Sequence, residues 1–307
     1  MSFVNSVIQR LRRDYFQWKY KKVAAQVALT KPLGQGEMPF ILLSMVHQRD
    51  VLSYLVAVKS FAHFLNPARI VVVCDPSIDG ADRTLLKQQV PHVELRHADE
   101  FTHPDMPRGG TWERLFAISG FVRDNYVIQL DADTLTVQAI PEVLAAIRDG
   151  KGFVLGEAPL TPLRSLAATR ESALPLIGPG AHVQDLAEAA MATVGLSDNA
   201  RYVRGCSGFT GFPHSSEMQG IMIDFSRRMT KKLGPDWKRW GTEQVTSNYL
   251  VANAHGTAAL SFPKYCTPDC ANAETAFFHF IGSLRFINRK YEASSRQALQ
   301  LICTTPS

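Results

Sequence analysis

Two carboxylates, Asp131 and Asp133, stand one residue apart where the apolar run of NYVIQLDADTLTV stops. In an extended chain residues i and i+2 point the same way, so both groups face one space. Left alone there they repel each other, and a divalent cation bound by hard oxygen ligands resolves that repulsion. Further along, WGTEQVTSNYL carries Glu243, Gln244 and Asn248, the last two one helical turn apart. FFHFIGSLRF carries His279, Gly282 and Arg285. An imidazole supplies a third metal ligand, a glycine lets a backbone N–H approach an oxyanion, and an arginine neutralises phosphate. Each residue also has a plainer reading: a turn-capping aspartate, a core histidine among phenylalanines, a surface arginine.

The elements that must position these groups follow a regular pattern. FILLSMV (40–46) and RIVVVCD (69–75) read as strands, as do HVELRHAD (92–99) and YVIQL. VLSYLVAVKSFAHFL, residues 81–89 and TWERLFAISGFVRD read as helices. Strands alternating with helices predict an α/β fold with a mostly parallel central sheet flanked by helices. In such sheets ligands collect beyond the carboxyl ends of the strands, which is where the Asp131–Asp133 pair falls. Residues 156–200 turn rich in Ala, Leu and Pro and read as helices and loops. No internal repeat and no interdomain linker is visible, so residues 36–307 are expected to form a single domain behind a basic amphipathic segment, 1–35.

Composition excludes several classes. The chain has 307 residues, 46% hydrophobic and 20% charged, as an ordinary globular protein does. No apolar stretch reaches the ~20 residues that span a bilayer, and the start lacks the apolar core of a cleavable signal. Five scattered cysteines predict a reducing, cytoplasmic setting. The net charge of +5 is local, because residues 10–22 hold Arg10, Arg12, Arg13, Lys19, Lys21 and Lys22 against Asp14 alone. The rest of the chain is formally neutral, which argues against a nucleic-acid partner. Val4, Val7, Ile8, Leu11, Tyr15 and Trp18 share one helical face, so residues 1–25 suit a peripheral contact with an anionic membrane, or packing on the domain or on a second copy.

Taken in order, these motifs resemble those of the GT-A (Rossmann-like) glycosyltransferases, and among them glycosyltransferase family 8. The family shows D-x-D, then N-x-G, then D-Q-D-x-x-N, then H-x-x-G-x-x-K-P. This chain has Asp131-Ala132-Asp133, Cys206-Ser207-Gly208, Glu243-Gln244-Val245 with Asn248, and His279, Gly282 and Arg285. Arg114 stands in the helix before the D-x-D strand, as in the family. Glu243, Val245 and Arg285-Phe286 depart from the family's Asp, Asp and Lys-Pro.

The resemblance implies a metal-dependent transfer of a hexose from a nucleotide-sugar, a UDP-sugar in the first place, to a glycan, lipid-linked or protein acceptor in polysaccharide synthesis. It implies Mn²⁺, or Mg²⁺ in its stead, on Asp131, Asp133 and His279. Arg114, Ser207, Gly208, Asn248, Gly282 and Arg285 fall at donor-binding positions, with the nucleotide base near SMVHQRD and Asp75. Gln244 and Glu243 fall at the catalytic positions, and the product is expected to retain its anomeric configuration. Two other readings compete. A haloacid-dehalogenase-like phosphatase uses D-x-D-x-T, but here Thr134 comes one position early. An inactive nucleotide- or carbohydrate-binding relative would keep the scaffold without the reaction.

Overall fold

Strand β1 (Met38–Val46) sends Phe40, Leu42 and Val46 into one apolar core, and Ile41, Leu43 and Met45 into another on the opposite side. A strand buried on both faces reads as a continuous apolar run, with its period of two hidden. The computed structural model describes residues 3–156 and 158–304; the side chains of residues 3–6, and with them Val4 of the predicted amphipathic face, and that of Ser283 lie outside the description.

Helix α1 (Phe3–Ala24) precedes β1. Helix α2 (Val51–Phe64), β2 (Pro67–Cys74), α3 (Gly80–Gln89), β3 (Val93–His97), α4 (Trp112–Phe121) and β4 (Tyr126–Leu130) then alternate within a few residues of the sequence expectation. Short β5 (Thr134–Thr136) leads to α5 (Pro141–Asp149) and β6 (Phe153–Gly156). The Ala-rich stretch forms β7 (Arg164–Ser165), α6 (Leu166–Ala173), α7 (Val183–Met191) and β8 (Arg201–Tyr202). There follow β9 (Gly205–Phe212), α8 (Met218–Leu233), α9 (Thr242–Ala252), β10 (Ala258–Ala259), β11 (Tyr265–Cys266), β12 (Phe277–His279) and α10 (Lys290–Thr304).

The main sheet has the order β10-β6-β9-β4-β1-β2-β3. Its pairings are parallel except that β9 runs against both β4 and β6. One face packs on α2, on one side of α10 and on the C-terminal end of α1; the other packs on α4, α7, α8 and α9. A second small sheet, β11-β12-β5, continues the chain past β4. No described helix is long and apolar enough to cross a membrane.

Candidate active site

Strand β4 carries the first carboxylate to the rim of the main sheet. Pairing with β9 persists one residue beyond the strand, where the Asp131 N–H donates to the Gly208 carbonyl at 2.9 Å. The chain then turns, Thr134 Oγ1 donating to the Asp131 carbonyl at 2.8 Å. It enters the small sheet as β5, whose Thr134 stands opposite His279 of antiparallel β12. The Phe280 N–H donates to the Asp133 carbonyl at 2.8 Å. This ladder brings a histidine from far along the chain to the carboxylate pair.

His279 Nε2 lies 3.6 Å from Asp131 Oδ2 and 3.2 Å from Asp133 Oδ1. The donor atoms of the three residues all fall within 4.8 Å of one another. Two ligand atoms about 2.1 Å from a small divalent ion, at right angles to each other, stand about 3.0 Å apart. The trio therefore has both the chemistry and the spacing for such an ion. The Asp133 and His279 side chains are buried, whereas that of Asp131 is 26% exposed, so the trio opens to solvent on the Asp131 side.

The other oxygen of each carboxylate is held by an arginine. Arg114, in the first turn of α4, pairs with Asp131 Oδ1 and reaches Glu243 Oε1 at 3.1 Å. Thr111 Oγ1 donates to Glu243 Oε2 at 3.0 Å. Thr111 is the one non-glycine among the described residues at positive φ, 71°, a strained setting for a β-branched residue. On the other side Arg285 donates to Asp133 Oδ2 through Nη2 at 2.6 Å and Nε at 2.9 Å, and to Asp50 Oδ1 through Nη1 at 2.8 Å.

Titration follows from this pairing. Burial opposes the charged form of Asp133, but the His279 and Arg285 charges outweigh it and hold the pKa at about 2. Burial likewise opposes the His279 cation, and Cys206 and Asp133 overcome it, lifting the pKa well above its ordinary value. Glu243 is pushed up by burial. Arg114 pulls the other way but shares its single charge with Asp131, so burial prevails for the glutamate.

Gly208 explains how the imidazole fits. A Cβ there would stand 2.1 Å from His279 Cε1, so the ring lies on a bare α-carbon. Cys206 Sγ is 3.2 Å from His279 Nδ1. Without a metal the imidazolium directs Nε2–H at the carboxylates. An ion bound there would replace that proton, and an Nδ1–H directed at the sulfur would hold the ring in place.

The remaining predicted site residues divide. Gln244 is half-buried; its Oε1 accepts from the Ser207 N–H at 3.4 Å, and its amide donates to Gln184 Oε1 at 3.2 Å. Ser207 Oγ donates to Glu243 Oε2 at 3.4 Å, beside the arginine-held carboxylate. Asn248 is fully buried and donates to the Gly205 carbonyl at 2.7 Å, tying α9 to β9 inside the fold. Gly282 is exposed on the turn between His279 and Arg285, with open space where a Cβ would stand. His47 Nδ1 lies 3.1 Å from Asp75 Oδ2, joining the two loops expected to meet the base.

Sequence reasoning missed three partners: Asp50 on Arg285, Thr111 on Glu243, and Gln184 on Gln244. Asp50 falls inside the SMVHQRD loop singled out for the base, while nothing in the Ala-rich text marks Gln184. That stretch also borders a cavity of about 420 Å³ lined by Arg164, Thr169, Glu188, Tyr202 and Arg204. Gln184 donates to Glu188 Oε1 at 2.9 Å, which connects the cavity wall to Gln244.

No family model and no curated protein sequence matches the chain. Solved structures do. The bifunctional glycosyltransferase WbbM, in its apo form, superposes with a TM-score of 0.51 at 14% identity, covering 90% of this chain and 51% of that one. This chain thus spans about half the length of WbbM, and the superposition assigns it a glycosyltransferase fold. The galactosyltransferase LgtC, in complex with donor and acceptor sugar analogues, gives a TM-score of 0.49 at 13% identity over 87% of this chain and 98% of that one. Core-mannan synthase A from Aspergillus fumigatus, in its Mn/GDP form, gives 0.43 at 11% identity over 90% and 94%.

Proposed function

We propose that the protein is a metal-dependent glycosyltransferase, moving a hexose from a nucleotide-sugar, a UDP-sugar in the first place, to a glycan, lipid-linked or protein acceptor. The observation that carries this reading is the Asp131–Asp133–His279 trio at the strand ends of a glycosyltransferase fold, with an arginine on the second oxygen of each carboxylate. Mn²⁺, with Mg²⁺ as substitute, suits a shell of two carboxylates and one imidazole, and when bound it would stabilise the negative charge of a departing diphosphate. Arg285 stands beside the trio as a partly exposed cation for phosphate oxygens. A phosphatase with Asp131 as nucleophile needs that carboxylate free, whereas Arg114 and His279 flank its two oxygens.

The side chains also favour retention of configuration. Inversion requires a base poised to take the acceptor's proton on the face opposite the leaving group. Glu243 is engaged by Arg114, Thr111 and Ser207 and is buried. Gln244, next to it, is the partly exposed member, and an amide is too weak a base to invert. In a retaining path the departing phosphate itself accepts that proton, and Gln244 turns its carbonyl dipole to the electron-poor sugar.

The test is a screen of nucleotide-sugars for hydrolysis and for thermal stabilisation, each with and without Mn²⁺. Hydrolysis that a chelator abolishes and Mn²⁺ restores is the expected result; hydrolysis indifferent to chelation rejects the reading. Proton NMR of the first-formed product then decides stereochemistry, a β-anomeric coupling from an α-linked donor rejecting retention.

A further inference from the structure

Helix α1 has two apolar faces that point in nearly opposite directions. Phe16, Tyr20, Val23 and Ala24 turn to the fold, and the last three are buried. There Tyr20 stacks on Tyr291 at 3.9 Å between ring centroids, and its hydroxyl donates to Ser53 Oγ at 2.9 Å. Val7, Ile8, Leu11, Tyr15 and Trp18 form the other face, each between 41% and 64% exposed. At about 3.6 residues per turn these five fall within an arc of roughly 100° on the side away from the fold. The structure thus separates the two roles that the sequence leaves as alternatives: one face fastens the helix, and the other has no partner among the described residues.

The cations border the free face. Lys22 Nζ lies 3.8 Å from the Trp18 ring centroid, and Lys19 Nζ lies 5.6 Å from Trp18 and 5.7 Å from Tyr15. Arg10, Arg12, Arg13 and Lys21 are exposed along the same helix, against a single acid, Asp14. This one helix therefore carries a basic surplus equal to the net charge of the whole chain.

We propose that α1 docks the protein on an anionic lipid surface, with Val7, Ile8, Leu11, Tyr15 and Trp18 at the headgroup boundary and the flanking cations on acidic headgroups. An apolar and aromatic stripe bordered by Lys and Arg is the pattern of a helix lying in a membrane interface. Charge selects this occupant over a second copy, since two such stripes packed face to face would bring two basic sets together. The inference stands on α1 alone and does not depend on the reaction assigned to the strand ends.

The experiment is sedimentation of the full chain with phosphatidylcholine vesicles, with and without phosphatidylserine. Binding is expected only with phosphatidylserine, falling as salt rises. Leu11→Glu with Trp18→Glu should lower the partition at least tenfold. Lys19→Gln with Lys22→Gln keeps the stripe apolar and should lower it roughly fivefold per cation lost. Circular dichroism checks that both variants fold, and the charge variant remains informative if the double glutamate does not. Absence of binding to anionic vesicles overturns the proposal, as does equal binding to neutral ones. So does a dimer in sedimentation velocity that the Leu11→Glu, Trp18→Glu variant dissociates and vesicles do not.

Discussion

The two arginines that hold the carboxylate pair occupy unlike surroundings. The Arg114 side chain is 4% exposed, stands in the first turn of α4, and bridges Asp131 to Glu243 in the first turn of α9. The Arg285 side chain is 23% exposed, follows the short 3-10 turn Gly282–Leu284, and bridges Asp133 to Asp50 in the 3-10 turn after β1. One arm is framed by helices, the other by turns. A buried ion pair is costly to break because its partner is left uncompensated, whereas a partly solvated arginine exchanges one anion for another at less cost. The same charge pattern is thus set in two unlike frames: Arg114 fixes where Asp131 stands, and under the proposed function Arg285 would trade an aspartate oxygen for a phosphate oxygen.

That contrast breaks first under substitution of the arginines. Arg114→Met strands Glu243 and Asp131 together and should cost about 3–5 kcal/mol of stability in urea unfolding. Arg285→Met leaves the His279 cation on Asp133, so it should cost less, and it should instead raise KM for the nucleotide-sugar. Equal losses would remove the distinction. Asp133→Asn comes next, since it preserves shape but removes the charge shared by His279 and Arg285. Turnover should fall by about 10²–10³-fold, and stabilisation by Mn²⁺ should vanish in thermal unfolding.

Gly208→Ala probes the seat of the histidine and leaves both arms alone. The added methyl must displace His279, with an overpacking cost of roughly 1–3 kcal/mol and Mn²⁺ affinity lowered by about 10–100-fold in calorimetry. The smallest effect concerns pH. The folded pKa of Asp133, about 2, lies below its ordinary 3.8, so the stability it contributes is present above the ordinary value and is lost as pH falls through the folded one. In metal-free protein, acid unfolding followed by fluorescence should steepen between those two values, and Asp133→Asn should flatten that part of the curve.

The sequence made the sheet legible because β1, β2 and β4 are apolar runs ended by turn residues, and a buried parallel strand has little choice but to look so. It made the convergence of Asp131, Asp133 and His279 legible because carboxylates at a strand end and a distant histidine have few structural uses together, once their order had suggested a family. Burial of Asn248 against Gly205 was hidden, since helical spacing places it on the face of Gln244 but says nothing of how closely α9 approaches β9. The direction of β9 was hidden too. Its Gly- and Ser-rich text, GCSGFTGF, encodes close approach and not polarity of pairing. Asp50 and Gln184 meet Arg285 and Gln244 through tertiary contacts that span long stretches of chain and leave no local pattern.

The aromatic root of α1 has a consequence for how the molecule meets large substrates. Tyr20 stacks on Tyr291 and packs at a tilt against Phe286, and Phe286 directly follows Arg285 in the chain. This helix therefore reaches the strand-end cluster through packed rings. A protein held to a surface by a floppy tail tumbles and samples every orientation, whereas one held by a stacked root presents the same side throughout its residence. With α1 lying on a lipid surface, two of the three rotations are already fixed. An acceptor diffusing in the plane of that surface would then meet the site after a search about a single axis.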